Sequence, residues 1–118
     1  MTRQEITNTR DLRFSSWIRY CLPDSDTGFI VSDIDFFLYN YKTKKCAIVE
    51  VKTRNASLKF QKNMYAFLSR WIKKGIDDGW EYRGFYFIRF ENTFFSDGKV
   101  FLNDIESTEE EIIKELSF

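Results

Sequence analysis

At 118 residues the chain is long enough to close one hydrophobic core and too short for two independent ones, so a single domain over residues 1–118 is expected. Apolar residues at 43%, aromatics at 19% and a lone proline exclude a disordered or low-complexity chain. With 18 basic against 18 acidic residues, 2 cysteines and no histidine, a four-cysteine or histidine-completed metal site is excluded, and any metal must be held by oxygen.

The start, Met1 to Glu5, holds no apolar signal core, and no apolar run approaches membrane-spanning length, so a cytoplasmic protein with no membrane partner is the expectation. Phe14, Trp17, Ile18 and Cys21 recur at i, i+3, i+4 and i+7. This spacing predicts a helix from Thr9 to Leu22, with Arg10, Arg13 and Arg19 turned off its apolar stripe and Pro23 ending it. Pro23 to Gly28 is rich in turn formers, and Phe29 to Asn40 reads as one long strand. Tyr41 to Lys44 reads as a reversal and Lys45 to Lys52 as the returning strand of a hairpin at the centre of the fold. Cys21 on its stripe and Cys46 in its strand read as reduced core residues, with a disulfide between them as the open alternative.

Pairing Asn40 with Lys45 sets Asp35 opposite Glu50 and Asp33 opposite Lys52, so that all four share one face. Apolar residues occur on both faces of this hairpin, as in a central strand pair covered on each side. Leu58 to Lys74 is expected as an amphipathic helix, with Gln61, Met64, Tyr65, Leu68 and Ile72 on one stripe and Lys59, Lys62, Lys73 and Lys74 mostly off it. Gly75 and Gly79 bracket a turn; Tyr82 to Phe90 then reads as a core strand and Val100 to Leu102 as a short edge strand. Ser107 and Thr108, each three residues before a glutamate, offer a capping box to a closing helix that carries Ile112, Ile113 and Leu116.

Charge is unevenly placed. Residues 104–118 hold 6 acids and 1 base, which leaves the first 103 residues with 17 basic and 12 acidic side chains. From Tyr41 to Gly75 there are 10 bases and a single acid, Glu50. Glu50 and Lys52 lie two apart on a strand and so point to one face, beside an aspartate delivered by the hairpin. Paired carboxylates repel unless a cation lies between them, and Mg²⁺ or Mn²⁺ accepts such hard oxygens while keeping water and phosphate ligands. A metal held there would acidify a water and offset charge on a phosphate, with Lys52 orienting either one.

Ser32-Asp33-Ile34-Asp35-Phe36-Phe37, followed by Ile48-Val49-Glu50-Val51-Lys52, resembles the PD-(D/E)xK nuclease superfamily. Gln61-Lys62-Asn63-Met64-Tyr65 is similar to the Q-x-x-x-Y signature of its RecB-like branch. The resemblance implies an α/β fold of restriction-endonuclease-like type: an α-β-β-β-α-β core whose central mixed sheet is flanked by helices, here with a short C-terminal helix. It implies Mg²⁺- or Mn²⁺-dependent hydrolysis of DNA, with Asp35 and Glu50 as metal ligands, Asp33 as second choice to Asp35, and Lys52 near the nucleophile. Gln61 and Tyr65 would contact substrate phosphate or brace the lysine. Three features depart from the pattern. No proline precedes the first acid, only about Gly28 to Val31 is available as the strand ahead of the aspartate, and the four-cysteine iron–sulfur subgroup is excluded. Some small resolvases of the superfamily place a ligand glutamate on the first helix, which makes Glu5 an additional candidate.

The plainer readings stand beside these. Asp33 and Asp35 can be edge-strand acids that discourage aggregation, with Lys52 as their ion-pair partner. Tyr65 can be an ordinary core aromatic, and Arg54, Lys59, Lys62, Arg10 and Arg13 can be a solvated face rather than a nucleic-acid-binding one. A catalytically silent nucleic-acid-binding or inhibitory module on the same fold is the alternative function, and a protein-interacting subunit docking through Asp104 to Glu115 is a third. A chain this small has little surface to wrap a duplex, so a homodimer presenting two sites fits the nuclease reading. Exonuclease against endonuclease, and DNA against RNA, stay open.

Overall fold

The structure is a computed structural model that describes residues 12–59 and 61–118. The chain divides between Ser32 and Asp33 into two compact units. In the first unit, α1 (Arg13–Cys21) is followed by a 3-10 turn at Ser25–Thr27, closed by Gly28 in the left-handed region at φ 94°. The expected stripe is helical, but none of its residues is buried; Phe14 and Trp17 stack on each other at 5.5 Å instead. Cys21, expected in a core, is exposed at the last turn of this helix, whereas Cys46 is buried and free. Thr9, Arg10 and Glu5 lie outside the described residues.

The second unit is α/β. Its elements run β1 (Phe36–Asn40), β2 (Lys45–Lys52), α2 (Lys62–Gly75), β3 (Glu81–Phe90), β4 (Val100–Leu102), β5 (Ile105–Ser107) and α3 (Glu109–Leu116). The five strands form one mixed sheet in the order β1-β2-β3-β4-β5. Only β2 and β3 run parallel, because the α2 crossover returns the chain to the same end of the sheet.

The hairpin register is the expected one, from Phe36 opposite Val49 to Asn40 opposite Lys45. Asn40 itself builds the reversal, since its side-chain oxygen accepts the N–H groups of Lys42 at 2.9 Å and Thr43 at 3.2 Å. Two expectations for this hairpin fail. The long strand from Phe29 shrinks to Phe36–Asn40, and no strand is assigned to residues 28–35. At that point the Asp35 carboxylate, not a strand carbonyl, takes the Val51 N–H at 2.9 Å, and the ladder stops. The hairpin is also not central: β1 edges the sheet with Phe36, Phe37 and Tyr39 more than half exposed, and of the two hairpin strands β2 is the one with a strand on each side.

Alternation along β2 and β3 divides the buried side chains between two faces. Ala47, Val49, Tyr86, Ile88, Phe90 and Val100 pack with Ile112 of α3 into the core. Thr108 caps α3 in a reciprocal box with Glu111, as the sequence indicates, and Glu115 accepts from the Tyr86 hydroxyl at 2.8 Å, which ties the acidic helix to the sheet. The opposite face, carrying Ile48, Glu50 and Phe85, meets α2 through Tyr65, whose ring stacks on Phe85 at 4.2 Å. A shift in register between Cys46 and Ile48 absorbs Gly84 as a bulge at φ 108°. No helix among the described residues is long and apolar enough to cross a membrane.

Candidate functional site

β2 carries an unbroken buried run from Cys46 to Glu50, and Glu50 is the buried charged residue of the described core, 1% exposed. A carboxylate removed from water costs several kcal/mol or more unless it is paired and hydrogen-bonded, so its surroundings have to compensate it. Two partners do so. Lys52 Nζ stands 3.3 Å from Oε1, and the Tyr65 hydroxyl donates a short hydrogen bond to Oε2. The Lys52 side chain is 25% exposed, so its ammonium lies at the mouth of the site rather than inside it.

Tyr65 is the link between the sheet and α2. It is 2% exposed, and its hydroxyl also lies 3.3 Å from the backbone carbonyl of Asp33. A phenol has one proton to give, and the carboxylate is the stronger acceptor. The Tyr65 phenol is held well above its ordinary value of 10, chiefly by burial, then by the Glu50 hydrogen bond, then by the charges of Glu50, Asp35 and Asp33. The hydroxyl therefore stays a donor across the physiological range.

Asp35 lies one position before β1, where continuing the hairpin register sets it opposite Glu50. Its Oδ2 accepts from the Val51 N–H, the amide between Glu50 and Lys52, so the aspartate is anchored beside the Glu-x-Lys segment. Asp33 contributes its main-chain carbonyl to Tyr65 instead of facing Lys52 as the extended register would have it, because the strand ends before reaching it.

Gln61 is placed differently from expectation. The helix expected from Leu58 begins at Lys62, after a turn in which the N–H groups of Gln61 and Lys62 both bond to the Leu58 carbonyl at 2.8 and 3.0 Å. Gln61 thus occupies the N-cap position, where its side chain makes no capping bond. Its connection to Tyr65 is through the main chain, Tyr65 N–H to Gln61 carbonyl at 3.1 Å. Tyr65 braces Glu50, the carboxylate that pairs with Lys52.

Of the basic candidates, Arg54 lies in the exposed turn after β2, its N–H fixed on the Asn92 carbonyl at 2.6 Å. Lys59 and Lys62 line a cleft of about 580 Å³ beside α2, and Tyr65 forms part of the same lining. Arg13 belongs to the first unit and is exposed on α1. Arg89 was not singled out from the sequence, yet the parallel ladder sets it directly beside Lys52. Its guanidinium lies over the Phe101 ring at 4.2 Å and bonds to the Asn55 side-chain oxygen. The alternation of Tyr82 to Phe90 marks Arg89 as sharing a face with Phe85 and Phe87, but which strand lies next to it is decided by the crossover. Comparison of the chain with protein-family models, with curated proteins and with solved structures gave no match.

Proposed function

We propose that the protein is a metal-dependent deoxyribonuclease of the PD-(D/E)xK kind, hydrolysing phosphodiester bonds at a centre formed by Asp35, Glu50 and Lys52. The observation that carries this reading is Glu50, a carboxylate 1% exposed in the middle of the sheet, next to Lys52 and across from an anchored aspartate. An apolar residue would fill that position at lower cost, so the charge has a use beyond packing. Support from the fold is the order of hairpin, helix and parallel strand, with α2 laid against the Glu50 face. The departure noted above remains, since residues 28–35 hold no strand ahead of the aspartate.

The donor set suits Mg²⁺ or Mn²⁺. It is made of hard oxygens, the carboxylates of Glu50 and of Asp35, the latter anchored on the Val51 N–H beside it. Among the described residues no three acidic, cysteine or histidine side chains gather as a closed ligand cage. Two carboxylates completed by water and phosphate is the arrangement Mg²⁺ favours. Held by Asp35 and Glu50, the ion would supply Lewis-acid charge toward a phosphate oxygen and lower the pKa of the attacking water. Lys52 orients that water or the phosphate and offsets the charge developing on it. Tyr65, kept protonated, fixes the rotamer of Glu50, while Arg54, Lys59 and Lys62 hold the DNA backbone in a salt-sensitive manner.

One observation favours a second reading. Both Glu50 oxygens already have protein partners, the arrangement of a carboxylate that serves structure in a catalytically silent binding module. Turnover separates the two. Purified protein is incubated with single-stranded, duplex and branched DNA in Mg²⁺ or Mn²⁺, alongside Asp35→Asn, Glu50→Gln and Lys52→Ala. Glu50→Gln keeps an acceptor for Tyr65 and so preserves the fold. Cleavage is expected to stop with EDTA and to fall on the order of 10²-fold or more in each variant. Cleavage that persists in EDTA or in Glu50→Gln rules the mechanism out, and salt-dependent binding without cutting in any metal favours the silent module.

A further inference from the structure

We propose that the cleft beside α2 seats one unpaired nucleotide of a single-stranded substrate, an inference that rests on the nucleic-acid reading above and gives it a substrate class. At about 580 Å³ the cleft is in the size range of small-ligand sites. Its lining includes Phe85 and Phe87 from β3, which offer an apolar aromatic floor. Three cations, Lys59, Lys62 and Arg89, face one acid, Asp104, so the occupant is an anion with an aromatic part.

The polar groups are built rather than incidental. Arg89 is set beside Lys52 by the β2–β3 register and is clamped between the Phe101 ring and the Asn55 side-chain oxygen. One of its five donors is used there, and the others form a fixed fork suited to a phosphate. Asn55 is itself pinned, its N–H on the Phe90 carbonyl at 3.1 Å. Asn103 spends its side-chain oxygen on the Phe87 N–H at 2.8 Å. The amide nitrogens of Asn55 and Asn103 are the donors left for the edge of a base. Tyr65 belongs to the cleft lining and holds Glu50 with its hydroxyl, so the cleft and the candidate reacting centre share this residue. A base enters a space between a helix and a sheet only when it has left the stack, and aromatic contact with an unpaired base is tolerant of sequence.

Ala66 gives the test, because it lines the cleft yet is exposed on α2, so Ala66→Glu fills and recharges the cleft without touching the core. Lys73→Gln on the same helix makes the same one-unit charge change away from the cleft. Kd for a fluorescein-labelled oligothymidylate and for a duplex of equal length is measured in EDTA at low salt, with circular dichroism as the check of fold. The wild-type protein is expected to bind the single strand at least tenfold more tightly than the duplex. Ala66→Glu is expected to weaken single-strand binding roughly 10- to 100-fold, with Lys73→Gln nearly unchanged. Equal affinity for both DNAs, no binding to either, or equal effects of the two substitutions overturns the proposal. Binding is measured without metal, so the two readings fail separately. A protein that shows this binding pattern but never cuts refutes the nuclease reading alone, and one that cuts with binding indifferent to Ala66→Glu refutes the cleft alone.

Discussion

Removing a single oxygen atom tests the arrangement around Glu50 most directly. Tyr65→Phe keeps the ring that stacks on Phe85 at 4.2 Å and deletes the donor to Oε2. Glu50 is then left with Lys52 on Oε1, and at 1% exposure water has little access to replace the lost bond. A hydrogen bond to a charged group is worth about 1.5–3 kcal/mol net, and an unsatisfied buried acceptor costs a similar amount, so a loss of about 2 kcal/mol is expected. At about 4–8 °C per kcal/mol for a domain of 60–100 residues, Tm should fall by roughly 8–16 °C. Urea denaturation of wild type, Tyr65→Phe, Glu50→Leu and the double variant supplies the coupling energy. The double variant should be less destabilised than the two single losses added together, by about 1–2 kcal/mol, because it leaves no orphaned acceptor. The raised phenol sets a pH signature as well. The folded value lies above the unfolded 10, so this contribution is complete below pH 10 and declines as pH rises beyond it. A Tyr65→Phe protein within about 0.5 kcal/mol of wild type at unchanged m, or a coupling near zero, would show that the hydroxyl does not support Glu50.

Two further outcomes follow from the fold. Gly84 sits in the β3 bulge at φ 108°, and a Cβ built there meets nothing within 4 Å, so Gly84→Ala should cost about 1–3 kcal/mol through backbone strain alone; an unchanged urea midpoint would refute this. The Asp97 carboxyl is held below its ordinary 3.8, first by the Thr93 hydroxyl and then by the N–H groups of Phe94 at 2.9 Å and Thr93 at 3.0 Å. A depressed folded value means stability that is present above pH 3.8 and lost as pH falls through the folded value. The stability difference between wild type and Asp97→Asn should therefore narrow on acidification below that point, and a gap that stays constant down to the acid transition would argue against the loop geometry.

Local pattern made much of this unit readable in advance. The reversal at Tyr41 to Lys44 lies between two runs of strand composition, and pairing Asn40 with Lys45 across it gives the observed register; the start of α3 follows from the reciprocal bonds of Thr108 and Glu111. The Glu-x-Lys spacing likewise fixes the common face of Glu50 and Lys52, since a strand alternates whatever surrounds it. Local pattern misjudged the elements whose limits depend on distant partners. Phe29 to Ile34 has strand composition, but a strand persists only where a neighbour accepts its ladder, and the Asp35 side chain ends that ladder by occupying the Val51 amide. Gln61 shares a helical stripe with Tyr65 on paper, but the chain enters α2 through a turn that leaves it at the cap.

The sequence by itself determined what depends on neighbouring residues: the hairpin, the spacing that groups the charges, the amphipathic face of α2 and the cap of α3. Tertiary structure alone decided that β1 lies at an edge, that Tyr65 rather than Gln61 reaches Glu50, and that Arg89 stands beside Lys52. The physical reason is the α2 crossover, which joins residues far apart in sequence into one parallel ladder. No periodicity within either strand specifies the partner across it.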